Sequence, residues 1–415
     1  MKLSIYQEKL CVGSLSTSDK GISFRYTQEF LATKTAAISL SLPLQVASFA
    51  QERCLPFFDG LLPEEQQRID LSRLLHTSAT SPMKLLAALA GECVGNLTIL
   101  DEEMTIDEAL QSSGYRELSM AELESLLQPQ SMTRLGFIAD RRLSLAGAQA
   151  KFGLYRSDDG QWFATQGLAP TTHIIKPASS RFDTLLMNEF FIMQLAAACD
   201  IPTAETQIVT AGSQHGLAVR RFDRQRVDDT VHRIAQEDFC QALAVMSHGK
   251  YEEDGGPGFA DLFALIQKNL ARPQAAAREL LRLSLFNYLV GNEDAHAKNY
   301  SIVRNPATHG LELAPAYDLI STTFYQDLAQ SLAMKMGTHY RIDRINSDDL
   351  AIFAHEIGIS HKVVHSELQT LLDTIKSQLE AVTGATIDAL PHCKDAAYEL
   401  KAHLNRELEQ RAKLL

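Results

Sequence analysis

The chain has 415 residues, with 39 Lys and Arg against 51 Asp and Glu, for a formal net charge of −12. The length leaves room for two or three domains with ample core. The acidic balance disfavours phosphate-backbone binding by the surface as a whole, so a nucleic-acid role would need a local basic patch or a basic partner.

Forty-five per cent hydrophobic and 22 per cent charged is ordinary globular composition. Cys11, Cys54, Cys93, Cys199, Cys240 and Cys393 lie far apart, with no Cys-x-x-Cys. That pattern fits a reduced, cytoplasmic protein without a zinc site. The first residues do not read as a signal peptide, and no apolar run approaches membrane length.

Residues 1–55 are expected to be β-rich. Leu3–Tyr6, Gly21–Tyr26 and Ala37–Leu40 alternate apolar and polar, with turn residues between them. Residues 56–64, Pro-Phe-Phe-Asp-Gly-Leu-Leu-Pro-Glu, form an apolar turn leading into a helix near 63–76. A further helix starts at Pro82, since proline suits the first helical position. Residues 101–130 are acidic and helical in pattern. No metal or nucleophile cluster falls in this part, so it reads as a structural or partner-binding module.

Candidate chemistry begins at 141. The small residues Ala146-Gly147-Ala148-Gln149 precede a strand at Phe152–Tyr155, where backbone N–H groups could approach phosphates or simply form a β-turn. The strand His173-Ile-Ile-Lys176-Pro177 places a lysine at its end, either beside nucleotide phosphates or as a solvated edge residue. A helix near 182–199 follows, with Leu185, Leu186, Phe190, Met193, Leu195 and Ala196 on its buried side. Glu189 on that helix either orients Lys176 or faces water. Strands at 206–210 and 217–222 lead to Gln236-Glu237-Asp238, which suits both an adenine-binding hinge and a helix N-cap.

From 239 onward the pattern is helical: 239–247, 259–270, 274–290 and helices across 347–415, with a loop at 249–258. The apolar run Leu280, Leu281, Leu283, Leu285, Phe286, Leu289, Val290 stops at Gly291. Asp294, His296, Lys298 and Asn299 follow within six residues. The spacing Asp294-x-x-x-x-Asn299 is that of a protein-kinase catalytic loop, base first and magnesium ligand second. Asp318, after a short strand candidate, stands where a second metal-binding aspartate is needed. Ala354–Val364 has helix-turn-helix-like spacing, but Ser360, His361, Lys362 and His365 are a thin supply of DNA-contacting groups, so an ordinary two-helix corner is expected. The fold class is therefore α+β: a β-containing first half followed by an all-α second half, in the two-lobe order of protein kinases.

Several motifs in this order resemble the HipA family of bacterial serine/threonine kinases, the toxins of toxin–antitoxin pairs. They are Phe57-Phe-Asp-Gly-Leu-Leu-Pro-Glu64, Ser144-Leu-Ala-Gly-Ala-Gln-Ala-Lys151, His173-Ile-Ile-Lys176, Arg221-Phe-Asp-Arg224, Gln236-Glu-Asp238, Asp294-Ala-His-Ala-Lys-Asn299 and Tyr317-Asp318. The resemblance implies an N-terminal subdomain at 1–110 that could contact an antitoxin, a kinase N-lobe at 111–238 and a helical C-lobe at 239–415. It implies ATP and Mg²⁺ as cofactors. Asp294 is then the base, Asn299 and Asp318 hold the metal, Lys176 binds phosphates, 146–149 form the phosphate loop and 235–238 the hinge. His296 and Lys298 line the catalytic loop. Kinases commonly carry the loop lysine two positions after the base; here that place is His296 and the lysine comes at four. Ser144, after Arg141-Arg142-Leu143, matches the family's self-inactivating phosphorylation site. Implied partners are a HipB-like helix-turn-helix antitoxin, operator DNA through it, and a protein substrate of the aminoacyl-tRNA synthetase class. The alternatives are a co-repressor or a small-molecule kinase.

Overall fold

The structure is a computed structural model that describes residues 1–33, 36–89, 91–129, 134, 136–138, 145–147, 149–179, 184–325, 327 and 331–414. These fall into two compact units, 1–178 with 209–247, and 179–208 with 248–415.

The first unit contains two large sheets and the hairpin Arg224–Val227 with Thr230–Arg233. Strands β1 (Lys2–Gln7), β2 (Leu10–Ser18), β3 (Gly21–Tyr26) and β4 (Leu97–Asp101) form a four-stranded sheet in the order β3-β2-β1-β4. Leu3 and Ile5 of β1, and Ile22 and Phe24 of β3, alternate inward, as a half-buried sheet requires. The helix Gln51–Asp59 closes the inner face with Phe57 and Phe58, the latter ring 5.4 Å from Phe24. The second sheet uses β5 (Gly114–Glu117), β6 (Phe152–Arg156), β7 (Trp162–Gln166), β8 (His173–Pro177), β9 (Thr206–Ala211) and β10 (Gln214–Arg220), in the order β5-β7-β6-β8-β10-β9.

Buried apolar side chains from Leu3 to Ala218 make one continuous core under both sheets. The packing therefore groups residues differently from the expected 1–110, 111–238 and 239–415 division. Residues 37–40 form a turn rather than the expected strand. Glu237 accepts from Ser39 Oγ at 2.5 Å and from the Leu40 N–H at 2.9 Å, drawing these residues out of a ladder. Strand β5 sits within the stretch expected to be helical, paired with β7.

Arg221-Phe-Asp-Arg224 closes a buried ionic cluster in the same unit. Arg221 and Arg224 each reach Glu92, at 3.0 and 2.6 Å, and each reaches Asp223, at 2.8 and 2.9 Å. Arg221 also donates to Thr171 Oγ1 and Arg224 to the Gly95 carbonyl, while the Gly95 N–H donates to Asp223. Burial alone would raise both carboxyls; the guanidiniums bring Glu92 down to about 2 and Asp223 lower still.

Among the described residues the second unit is mainly helical and carries one hairpin, Ser301–Arg304 with Leu311–Leu313. The helix Leu185–Ala198 belongs here, not with the β-rich half. It is buried on every side from Leu186 to Met193, rather than along one stripe. The 29-residue helix His361–Ala389 packs against it and against Pro273–Val290, Ser347–Glu356 and Lys394–Arg411. Ser360 caps that long helix and Gly358 turns the corner before it, which makes 354–365 the expected two-helix corner. Glu367 on the long helix accepts from Arg278 and Arg282, and Arg282 also donates to the Cys199 carbonyl. These bonds hold the helix Pro273–Val290 that delivers the candidate site. No helix among the described residues is long and apolar enough to cross a membrane.

Candidate active site

The helix Pro273–Val290 is buried along its C-terminal half and stops where the sequence changes character. Gly291 takes a left-handed conformation, φ +69°, and its N–H bonds back to the last turn. A Cβ there would lie 2.1 Å from Thr323 Oγ1, so both backbone and space require glycine. Arg411 donates to the Leu289 carbonyl and lies 5.2 Å above the Tyr288 ring, a cation at the negative end of the helix.

The chain after Gly291 is tied to residues 314–323 by backbone and side-chain hydrogen bonds. The Thr322 and Thr323 N–H groups donate to the Gly291 carbonyl, the Glu293 N–H donates to Thr322 Oγ1, and the Ala314 N–H donates to the Ser301 carbonyl. Tyr317 Oη donates to the Lys298 carbonyl at 2.8 Å and lies 2.6 Å from Ser301 Oγ. These ties bring the segment carrying Asp318 alongside the segment carrying Asp294, His296, Lys298 and Asn299.

Asp294 is half-exposed, with its N–H bonded to Asn292 Oδ1 at 3.2 Å. Its Oδ1 accepts from Tyr251 Oη at 2.7 Å and lies 3.9 Å from His296 Nε2. His296 and Lys298 are buried, the latter within the 3-10 turn Ala297–Asn299. Asn299 Nδ2 donates to the Asp294 carbonyl at 2.8 Å. Because the amide nitrogen is bound inward, the amide oxygen is the atom available to a cation. Asp318 is half-buried with φ 55°, a left-handed conformation that costs a non-glycine residue about 1 kcal/mol. One amide oxygen and one carboxylate fit Mg²⁺, which commonly takes few protein ligands plus substrate phosphates. Burial pushes the neighbouring Glu293 carboxyl up to about 7, against Arg411 and Thr322.

The first unit holds the other candidates. Lys176 is buried, on a central strand of its sheet with Leu217 as cross-strand partner, so it is not a solvated edge lysine. The candidate phosphate loop is anchored at its first two residues. Lys151 Nζ donates to the Ala146 carbonyl at 3.1 Å, and the Glu64 N–H donates to the Gly147 carbonyl at 3.1 Å. Gln149 is half-buried; Ala148 and Ser144 lie outside the described residues.

Asp238 caps the helix Phe239–Leu243, accepting from the Gln241 N–H at 2.8 Å, so the N-cap reading holds for it. Glu237 is bonded to residues 39 and 40, and Gln236 packs its backbone against Gly95. A hinge here would therefore act through its backbone. Glu189 is buried on the helix Leu185–Ala198 of the second unit, not facing water.

Two residues that touch the candidate site were not singled out from the sequence: Tyr251, in a glycine-rich loop without period, and Glu64, in the apolar turn of the part read as a structural or partner-binding module.

The family model for the HipA N-terminal domain matches residues 3–100, and that for the HipA-like C-terminal domain matches residues 143–381. The chain is 36% identical over 392 residues, 93% of each chain, to a protein of Sinorhizobium fredii (strain NBRC 101917 / NGR234) named putative kinase Y4mE. It is 29% identical over 425 residues to the serine/threonine-protein kinase toxin HipA of Shewanella oneidensis, covering 98% of this chain and 94% of that one. A solved structure of Shewanella oneidensis HipA with HipB and operator DNA superposes with a TM-score of 0.81 at 27% identity, over 98% of this chain and 95% of that one. With both family models matched in order and a relative of this identity along nearly its whole length, the chain belongs to the HipA family of serine/threonine kinases.

Proposed function

We propose that the chain transfers the γ-phosphoryl group of ATP, with Mg²⁺, to a serine or threonine hydroxyl of a protein, and acts in this way as a growth-arresting toxin. Asp294 takes the hydroxyl proton. The new P–O bond forms as the bond to the β–γ bridging oxygen breaks, and ADP leaves with the electron pair. Asn299 Oδ1 and the Asp318 carboxylate hold the metal, which when bound neutralises phosphate charge. Lys176 pairs with phosphate oxygens, the backbone of 146–149 cradles them, and the backbone of 236–238 takes the adenine. Glu189 orients Lys176, and Lys298 lines the loop with His296.

The observation that carries this reading is the Asn299–Asp294 bond, which leaves an amide oxygen for metal beside a half-exposed carboxylate. The test is ³²P transfer from γ-labelled Mg·ATP to protein by wild type, Asp294→Ala and Asp318→Ala. Transfer by wild type and loss in both variants is expected; full transfer by Asp318→Ala would remove the metal role.

The same enzyme is proposed to phosphorylate its own Ser144, adding about −1.5 to −2 charge beside Arg141 and Arg142. Mass spectrometry of wild type and Asp294→Ala after incubation with Mg·ATP checks this. Absence of phosphate on Ser144 in the active enzyme removes it.

A HipB-like helix-turn-helix antitoxin is the proposed partner, joining the chain to operator DNA. Support comes from the solved relative in that assembly and from a net charge of −12, which suits a basic partner. An aminoacyl-tRNA synthetase is the proposed substrate class. A co-repressor role is compatible with catalysis. The two separate if Asp294→Ala abolishes toxicity and leaves the antitoxin–DNA complex intact.

A further inference from the structure

We infer that Tyr251 is a positioning residue for the transfer: its hydroxyl fixes the Asp294 carboxylate by Oδ1 so that Oδ2 meets the acceptor hydroxyl. The inference rests on the reading of Asp294 as the base.

A half-exposed aspartate has a broad terminal torsion, and a base that wanders meets its substrate in the wrong geometry for much of the time. Both polar contacts of this carboxylate among the described residues fall on the same oxygen, Tyr251 Oη at 2.7 Å and His296 Nε2 at 3.9 Å. The tyrosine is in turn held from several sides. Its ring meets the buried His296 ring edge-on at 5.3 Å, and Lys250 Nζ lies 5.6 Å from its centroid.

The backbone around Tyr251 is also fixed. The next residue donates its N–H to the Ala333 carbonyl, while Glu252 Oε2 accepts from the Lys335 N–H at 2.7 Å. Ala333 closes the circuit by donating its N–H to the Glu293 carbonyl, one residue before the base. Gly256 donates to the Tyr251 carbonyl at 2.9 Å, in a turn so close that a Cβ on it would lie 2.2 Å from the Gly249 carbonyl. Loop and base are thus one braced piece, and the hydroxyl is aimed rather than swinging.

The test is Tyr251→Phe, which keeps the ring on His296 and removes only the donor. Transfer of ³²P from Mg·ATP to the chain itself and to casein is followed against ATP concentration, with Asp294→Asn alongside. The expected result is a kcat about 10- to 100-fold lower, the scale of a lost bond to a charged group, at unchanged KM for ATP. A wild-type kcat in Tyr251→Phe would overturn the inference, as would faster transfer, which would make the tyrosine a blocking group. If Asp294→Asn keeps full transfer, or the wild type transfers to neither acceptor, the underlying reading falls and takes the inference with it. Asp294→Asn inactive with Tyr251→Phe unaltered sinks only the inference.

Discussion

The cluster around Arg221-Phe-Asp-Arg224 and the loop at 291–299 are both dense in charged and polar groups, yet they are built in opposite ways. In the first, two carboxylates meet two guanidiniums out of contact with water, and most of the remaining donors go to backbone carbonyls. Such a cluster joins the segments at 92–95, 171 and 221–224 and has little left for a ligand. In the second, the backbone bonds do the holding while Asp294 stays half-exposed and Asn299 keeps its oxygen outward. Charge density alone does not mark a site; what matters is whether the acceptors are already taken.

The comparison breaks most sharply on Asp294→Asn. Transfer should fall about 10²- to 10⁴-fold, the range for a lost general base, while the urea midpoint stays near wild type because the residue is half-exposed. Glu92→Gln should do the reverse. Leaving two guanidiniums buried with one carboxylate should cost about 3–5 kcal/mol of stability, read as a lower urea midpoint at neutral pH. The sign with pH follows from the depressed folded value. Glu92 contributes stability above its unfolded pKa near 4.5, and that contribution is lost as pH falls towards about 2. Wild type should therefore weaken through that window more than Glu92→Gln does. A mutant of Glu92 as stable as wild type would erase the distinction.

How much of this was legible in the sequence differs between the two regions. The Asp294–Asn299 spacing, the stop at Gly291 and the lysine on strand 173–177 could all be read, because helix period, glycine and fixed offsets are local signals. Pro82 likewise opens the helix Pro82–Leu89. What depended on distant partners was hidden. Nothing near Glu92 announces that Arg221 and Arg224 will neutralise it, 129 and 132 residues away. The turn at 37–40 carried a strand pattern, but Glu237 claims its hydrogen bonds. The helix Leu185–Ala198 could be placed in sequence, but not assigned to the helical unit, since one chain segment cannot show that a helix is buried all round.

A group with the opposite linkage lies beside Asp294. Glu293 is buried, and among the described residues its Oε1 has no hydrogen-bond partner. Its carboxyl is raised to about 7, so stability from this group is full below the unfolded value near 4.5 and is lost as pH rises through about 7. Glu293→Gln should flatten that slope, worth about 2–3 kcal/mol between pH 4.5 and 7, as followed by melting temperature against pH. An unaltered slope would place the titration elsewhere.

The smallest effect is expected at Tyr317→Phe. The hydroxyl donates to the Lys298 carbonyl and lies 2.6 Å from Ser301 Oγ, so its loss leaves the carbonyl without that donor and one hydroxyl to rearrange. The stability cost should be about 1 kcal/mol. This bond also ties the segment carrying Asp318 to the segment carrying Asn299, so the variant tests whether the tie matters for chemistry. If it sets metal geometry, the half-saturating Mg²⁺ concentration for transfer should rise several-fold while the stability loss stays small. If Mg²⁺ dependence is unchanged and only the melting temperature falls, Tyr317 belongs with the structural cluster at Arg221, and the strained backbone of Asp318 alone positions that ligand.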